Sequence, residues 1–134
     1  MVEFKVCIAD PSTGKTYQKE VKDADAATFL GKNIGESVKG ELIGLTGAEL
    51  LITGGSDKAG FPMRRGIRDI RKKLSLLGGV GLRVRMPHGT RKRKTVCGHK
   101  ISDRIAQVNV KVSKEGTKKL AELFPAPAPE EKKQ

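Results

Sequence analysis

The chain has 134 residues, a hydrophobic fraction of 37% and a formal net charge of +12. This length fits one domain with a single small core, which we place at 1–124 and follow with a tail at 125–134. No apolar run is long enough to cross a membrane, and the N-terminus lacks the basic and apolar regions of a secretory signal. With four Phe, one Tyr and no Trp, the chain offers few rings on which single-stranded bases could stack.

Charge is concentrated in one part of the chain. Residues 61–100, called the basic segment below, contain thirteen Lys or Arg and only one acid, Asp69. The other ninety-four residues contain fourteen basic and fourteen acidic side chains, so their charges cancel. A single cationic segment indicates a polyanionic partner, because neutralising phosphates releases counterions and needs no catalytic pocket.

The N-terminal residues predict a β-hairpin. Apolar and polar side chains alternate over 2–8 and again over 17–21, which is typical of half-buried strands. The intervening residues 10–14 include Asp, Pro, Ser and Gly, which favour a turn. Residues 23–40 leave helix and loop open as interpretations, since Asp25 can cap a short helix that two glycines would interrupt.

A second strand pair is predicted at 42–43 and 50–52, on either side of a turn at 46–47. Residues 54–62 then contain three glycines and a proline, and we predict a loop there. This loop lacks the Lys and the Ser or Thr that follow the last glycine of a nucleotide-binding P-loop. A tight turn and a close approach of the backbone to a phosphate both remain open for Gly54, Gly55 and Gly60.

A basic amphipathic helix is predicted at 64–77. Ile67, Ile70, Leu74 and Leu77 recur at spacings of three, four and three, which forms one apolar stripe. Such helices also lie on anionic membranes or in calmodulin-type grooves, but this stripe has neither Trp nor Phe. A plain solvated charged face is the third interpretation. The remaining faces of the helix hold Arg64, Arg65, Arg68, Arg71, Lys72 and Lys73.

Two more cationic elements follow the predicted helix. Apolar side chains over 82–86 alternate with Arg83 and Arg85, which predicts a strand with one apolar and one cationic face. A turn at 87–89 leads into four consecutive cations at 91–94. Three adjacent cationic elements of different local structure are difficult to explain by solubility alone, so we predict nucleic-acid binding.

The C-terminal part predicts one further strand and a tail. Valines alternate with polar residues over 108–112, residues 117–124 favour one or two helical turns, and the proline-rich, charged residues 125–134 predict disorder. Short strands with glycine-rich turns favour a mainly β fold. We expect a small antiparallel β-barrel with one or two short helices and long basic glycine-rich loops.

Two cysteines and two histidines are candidates for metal binding or catalysis: Cys7, Cys97, His88 and His99. One residue separates Cys97 from His99, and the chain has no Cys-x-x-Cys, so the spacing does not favour zinc. As a nucleophile and base, the same pair lacks a third, orienting group. We therefore expect reduced thiols, with no metal, no cofactor and no catalytic residue.

Three blocks of the chain resemble a known protein family. Residues 52–63, Ile-Thr-Gly-Gly-Ser-Asp-Lys-Ala-Gly-Phe-Pro-Met, are similar to a signature of small-subunit ribosomal protein six of the archaeal and eukaryotic type. Residues 89–96 and 108–116 resemble two further blocks, and with the opening strand the resemblance covers 1–123. It implies a mainly β, barrel-like structural component of the small ribosomal subunit that binds ribosomal RNA.

Eukaryotic members of this family are longer and end in a helical extension whose serine cluster is phosphorylated. The present chain is similar to the short, archaeal form, and its tail at 125–134 has no serine. The resemblance therefore does not imply that regulatory role for this chain.

We interpret the chain as a non-catalytic protein that binds ribosomal RNA, takes part in translation and is ribosome-bound in the cytoplasm. Its expected partners are small-subunit RNA and neighbouring ribosomal proteins, with no membrane and no small-molecule substrate. The alternative is a free-standing RNA-binding regulator or an RNA-processing factor. Cations position a protein on phosphates, with Arg suited to bidentate contacts and Lys to point-charge contacts. The candidate RNA ligands are Lys58, Arg64, Arg65, Arg68, Arg71, Lys72, Lys73, Arg83, Arg85, Arg91, Lys92, Arg93 and Lys94.

Overall fold

The computed structural model describes residues 2–123 as two β-sheets with short helices between the strands. The strands are β1 (Glu3–Asp10), β2 (Lys15–Lys22), β3 (Ser37–Lys39), β4 (Glu49–Asp57), β5 (Arg71–Leu76), β6 (Lys92–Cys97) and β7 (Ile105–Lys114). The helices are α1 (Asp23–Phe29), a 3₁₀ helix (Gly40–Ile43) and α2 (Leu120–Leu123).

Five strands form the larger sheet, called the main sheet below, in the order β2-β1-β7-β4-β3. Within it β1 pairs antiparallel with β2 but parallel with β7, while β4 is antiparallel to both β7 and β3. Its two outer strands, β2 and β3, do not pair with each other, so the sheet stays open. The mainly β prediction is confirmed, whereas the prediction of a closed barrel is wrong.

The period-two patterns predicted the strands correctly at both ends of the chain. The hairpin of β1 and β2 is confirmed, and the inward residues Phe4, Val6 and Ile8 are buried. The valines of β7 are buried as well, while its polar residues alternate outward or stay half-buried. Alternation is reliable here because one face of each strand packs on a single core. The helical turn predicted within 117–124 corresponds to α2.

Three local predictions in the first half need correction. Residues 42–43 lie in the 3₁₀ helix rather than in a strand, and the partner of β4 is instead β3. A short helix does form at α1, but its N-cap is Lys22, without a side-chain cap hydrogen bond, and Asp25 lies inside its first turn. The loop predicted at 54–62 begins only after Asp57, because β4 continues to that residue. The pairing of β4 with β7 shifts register beside the glycines.

The basic segment differs most from its prediction. Residues 71–76 form strand β5, so the predicted helix at 64–77 is wrong. The predicted strand at 82–86 is also wrong, since no residue of this stretch belongs to a strand. Instead β5 pairs antiparallel with β6 to make a separate two-stranded sheet, called the ribbon below. The stretch 77–91 connects these two strands.

Apolar side chains collect in two clusters of very different size. The larger lies under the main sheet and includes Phe4, Phe29 from α1, Ile52 and Val108, all at or near complete burial. The smaller lies on one face of the ribbon. Neither α1 nor α2 approaches the length that a membrane-spanning helix needs, and no longer helix exists among residues 2–123. The tail predicted at 125–134 falls outside the described residues.

Candidate RNA interface

The ribbon is attached to the main sheet through a short extended stretch at 62–64. The backbone N–H of Met63 donates to the carbonyl of Gly55 on β4 (N···O 2.8 Å). On the other side, the N–H of Arg64 donates to the carbonyl of Cys97 (3.1 Å), and the N–H of Cys97 donates to Pro62 (2.8 Å). The stretch thus bonds both to β4 and to the end of β6, which fixes the position of the ribbon.

Backbone hydrogen bonds just before β5 and just beyond β6 join the two ends of the ribbon to each other. The N–H of Gly98 donates to the carbonyl of Ile70 (3.0 Å), and the N–H of His99 donates to that of Ile67 (2.9 Å). A Cβ atom at Gly98 would collide with the carbonyl oxygen of Asp69, so only glycine allows the two chain segments to lie this close. The start of the ribbon is therefore held by backbone contacts over several residues.

The second attachment to the main sheet is an ion pair between Asp57 and Arg71. Nε of Arg71 donates to Oδ2 of Asp57 (2.8 Å), and the other carboxylate oxygen accepts from the N–H groups of Ala59 and Phe61 (both 2.9 Å). The Asp57 side chain is 1% exposed and that of Arg71 is 37% exposed. Burial alone raises the pKa of Asp57, but the bonds from Arg71 and the two amides outweigh it and hold this pKa below its usual value.

Cations lie on both faces of the ribbon. In the β5–β6 register, Lys72, Lys92 and Lys94 share a face with the apolar side chains of the smaller cluster. Lys73 and Arg93 share the opposite face with Ser75 and Thr95. All five cationic side chains belong to exposed residues, so a ligand can reach either face.

The connection at 77–91 folds back on the ribbon and adds two exposed arginines, Arg83 and Arg85. Its first turn is closed by the N–H of Leu82 donating to Gly79 (3.1 Å), and Nη1 of Arg64 donates to the carbonyl of Val80 (2.7 Å). Leu82 is buried in the smaller cluster. The turn is thus anchored at its start, while the arginines extend from it.

The predicted cations differ in whether the fold itself uses them. Arg71 is bound to Asp57, and Arg64 is half-buried with its guanidinium on a backbone carbonyl. Arg65 packs beside Gly35, where a Cβ atom would lie 3.6 Å from its Nη2. The other predicted cations are exposed and make no ion pair or side-chain hydrogen bond within residues 2–123: Lys58, Arg68, Lys72, Lys73, Arg83, Arg85, Arg91, Lys92, Arg93 and Lys94.

The three candidate glycines have different roles. A Cβ at Gly55 would collide with the carbonyl oxygen of Gln107 on β7, so this glycine is required by the packing of the sheet. Gly60 has a φ of +89° and closes the turn after β4 with its N–H on Asp57 (3.0 Å), which is the tight-turn interpretation. A Cβ at Gly54 would meet no atom within 4 Å, so neither packing nor φ explains this glycine.

Comparison with known proteins gives the family. Residues 4–125 match the family described as "Ribosomal protein S6e". The chain belongs to this family. "Small ribosomal subunit protein eS6" of Halorubrum lacusprofundi is 50% identical over 113 residues, which cover 84% of this chain and 83% of the relative. The protein of the same name from Methanosphaera stadtmanae is 46% identical, over 96% of this chain and 97% of the relative. That from Archaeoglobus fulgidus is also 46% identical, over 92% of this chain and 96% of the relative.

Membership in a family of ribosomal proteins confirms that the chain is not an enzyme. Among residues 2–123, no three His, Cys, Asp or Glu side chains come close enough together to hold a metal ion. Cys97 is buried at the end of β6, and Cys7 is half-buried on β1. Burial raises the pKa of the Cys97 thiol, and the negative charge of Asp57 raises it further, so the surroundings disfavour the nucleophilic thiolate.

Sequence patterns did not reveal the residue that orients the start of the ribbon. They indicated Arg71 as an RNA ligand and gave Asp57 no role, although Asp57 is a buried polar residue beside the core. One signal was present, since an Asp three residues before Gly60 is typical of a turn in which the carboxylate accepts backbone N–H groups. The pairing with Arg71 had no such signal, because fourteen residues separate the two side chains.

Proposed function

We propose that this chain is a structural constituent of the small ribosomal subunit that takes part in translation and binds ribosomal RNA through its basic segment. Its family membership supports the ribosomal role. In the cell it would be ribosome-associated, with small-subunit RNA and adjacent ribosomal proteins as neighbours. The exposed cations, which include both faces of the ribbon and the connection at 77–91, are the proposed RNA ligands.

The observation that carries the RNA proposal is the absence of compensating acids around these cations. No Asp or Glu occurs from 70 to 102, and the one acid of the basic segment, Asp69, directly precedes that range. Among the described residues, the only ion pair that a cation of this segment makes is the one between Arg71 and Asp57. The remaining positive charge therefore stays available, and phosphates can neutralise it with release of their counterions.

Charge reversal tests the proposal. Arg91, Lys92, Arg93 and Lys94 are changed together to Glu in the full chain, and incorporation into the small subunit is measured by co-sedimentation. We expect incorporation to be lost, because phosphate attraction becomes repulsion. The matched control carries the same change in charge at exposed lysines outside the basic segment, namely Lys5, Lys15, Lys39 and Lys111.

Both variants must first show the circular dichroism spectrum and the urea midpoint of the wild-type fold. Normal co-sedimentation of the folded 91–94 variant would refute RNA binding through this segment. Equal loss in both variants would show that total charge, rather than the ribbon, decides incorporation. A wild-type chain found mainly in a soluble pool away from ribosomes would instead favour a free-standing regulator.

A further inference from the structure

A groove lies between the main sheet and the first turn of the connection at 77–91. Gly54 and Gly55 of β4 line it without side chains. Pro62, Met63 and Val80 contribute apolar groups, and Arg83 contributes a cation. The lining therefore combines side-chain-free backbone, apolar side chains and one of the proposed RNA-binding cations.

Polar groups at one side of the groove are suited to hydrogen bonding. Thr53 and Asn109 line it from neighbouring strands, and Oγ1 of Thr53 donates to the backbone carbonyl of Asn109 (3.1 Å). The side-chain oxygen of Asn109 accepts from Nε2 of Gln107 (2.8 Å). Within residues 2–123, no hydrogen bond uses the amide nitrogen of Asn109 as a donor, so this group is available to an acceptor on a ligand.

The part of the lining that Val80 forms is held in place before any ligand binds. The carbonyl of Val80 accepts from Arg64, and the next residue, Gly81, packs so closely on the ribbon that a Cβ there would lie 2.8 Å from Val96. Leu82 then enters the smaller cluster. A preformed lining costs less ordering entropy on binding than a mobile one.

We propose that this groove receives one unpaired nucleotide of ribosomal RNA, an inference that rests on the proposed function. The base would lie over Gly54 between Pro62 and Val80, with its edge toward Asn109 and its phosphate on Arg83. Proteins recognise unpaired RNA nucleotides by apolar contact with the base and hydrogen bonds to its edges, whereas bases within a duplex remain stacked. Gly54 allows the base to approach the backbone closely, which gives this otherwise unexplained glycine a role.

Charge favours a nucleotide over a segment of a neighbouring protein. The groove is lined by Arg83 and by no acid, and it borders a range, 70–102, without any Asp or Glu. Every RNA nucleotide carries a phosphate that can neutralise this positive charge, whatever the RNA sequence. A protein segment would need acidic residues of its own at matching positions. A protein segment in the groove is retained as one outcome of the test.

The test fills the groove without disturbing the fold. Gly54→Leu adds a side chain where no protein atom lies within 4 Å of the Cβ position, and the φ of Gly54 is not left-handed. Thr16→Leu is the matched control, because Thr16 is exposed on β2, lies outside the basic segment and does not line the groove. Both variants are prepared as full chains and must retain the wild-type urea midpoint.

Binding is measured to a transcript of the complete small-subunit RNA at several salt concentrations, together with 2′-hydroxyl acylation of each nucleotide. We expect Gly54→Leu to weaken binding on the order of tenfold, because the base loses its apolar contacts in the groove. The salt slope should fall by no more than about one phosphate contact, because only the phosphate on Arg83 is displaced with the base. One unpaired nucleotide that the wild type protects should become reactive, while Thr16→Leu should match the wild type in affinity and protection.

Three results would overturn the proposal. Wild-type affinity in Gly54→Leu would show that no nucleotide occupies the groove, and equal weakening in both variants would show that the effect is not specific to the groove. Normal binding of Gly54→Leu to RNA with failed incorporation into subunits would assign the groove to a protein segment. If the wild type itself neither binds the transcript nor enters subunits, the proposed function fails as well.

Discussion

The main sheet and the ribbon differ in what stabilises them. Twenty buried residues are found in the cluster of the main sheet, whereas the cluster of the ribbon has three, which are Leu76, Leu82 and Val96. Burial of apolar surface contributes most of the stability of a fold. The main sheet therefore has a core of its own, and the ribbon depends on its attachments to that sheet.

This difference suits the proposal that the main sheet supports the ribbon and that the ribbon binds RNA. The exposed cations of β5 and β6 leave little room for apolar side chains, and their mutual repulsion opposes folding until a polyanion binds. Backbone bonds at Cys97 and Gly98 and the ion pair of Arg71 hold the ribbon instead. A small sheet can thus carry a high positive charge because a larger one orients it.

Removing a core side chain from each region tests this difference most strongly. Phe4→Ala should lower the free energy of unfolding by about 4 kcal/mol, because Phe4 is 1% exposed in the large core. Leu82→Ala should cost only about 2 kcal/mol, at the lower end for such changes, since its cluster is small. Urea unfolding measures both values.

Amide hydrogen exchange locates the two effects. Leu82→Ala should speed exchange in β5 and β6 and leave β1 and β7 unchanged, because the ribbon can open locally while the main sheet stays folded. Equal destabilisation of all four strands by Leu82→Ala would mean that the two sheets unfold as one unit.

The ion pair that attaches the ribbon should matter more than any neighbouring cation. Arg71→Ala leaves the carboxylate of Asp57 buried without its cation, and we expect a loss of about 2 kcal/mol in the free energy of unfolding, because Arg71 is partly exposed and two backbone N–H groups still bond to Asp57. Lys72→Ala, at the next residue along β5, whose side chain is exposed, should change stability by less than about 0.5 kcal/mol. Similar values for the two variants would remove Arg71 from the attachment.

The same ion pair predicts an acid limit to stability. The pKa of Asp57 in the folded chain lies below its ordinary value of 3.8. Its stabilising effect is therefore complete above that value and is lost as the pH falls through the folded pKa. Asp57→Asn should be less stable than the wild type at neutral pH and should lose less further stability on acidification.

Because Asp10 also titrates with a lowered pKa, Asp57→Asn should not remove the whole pH dependence of stability. The hydroxyl of Ser12 donates to the carboxylate of Asp10 and holds the pKa of Asp10 below its usual value as well. Part of the acid sensitivity should therefore remain in Asp57→Asn. An unchanged curve of stability against pH would contradict the importance assigned to Asp57.

The smallest expected effect concerns the cysteine between the two regions. Cys97→Ser places a hydroxyl in a buried position and should lower the free energy of unfolding by about 1–2 kcal/mol. Affinity for small-subunit RNA should stay at the wild-type value, because the thiol is protonated and away from solvent. Stoichiometric metal in the purified wild type that disappears in this variant would contradict this role.

Sequence patterns predicted three of the five strands of the main sheet well, β1, β2 and β7, for a physical reason. In β1, β2 and β7 one face meets a single core, so side chains alternate with a period of two. Family resemblance at 52–63 indicated the ribosomal role. Neither pattern nor resemblance located the ion pair of Asp57 and Arg71, which depends on chain segments meeting in space.

The helix predicted at 64–77 shows why the ribbon was harder. Its four apolar residues have helical spacing, but Ile70 and Leu77 are exposed and only Leu74 and Ile67 contact the smaller cluster. The relevant pattern was the shorter alternation of 72–76, which becomes stable only when β6 pairs beside it. A periodic pattern within one short segment carries no information about a partner strand that lies about twenty residues later in the sequence.

The measurement that tests the account most directly is a crosslinking map of the chain on its own small ribosomal subunit. Ultraviolet crosslinks to ribosomal RNA, located by mass spectrometry, should concentrate on β5, β6 and the connection at 77–91. We expect few from β2 and α1, which carry no excess of cations comparable with the basic segment. Crosslinks concentrated on β2 and α1, with the ribbon free of RNA, would contradict the central claim.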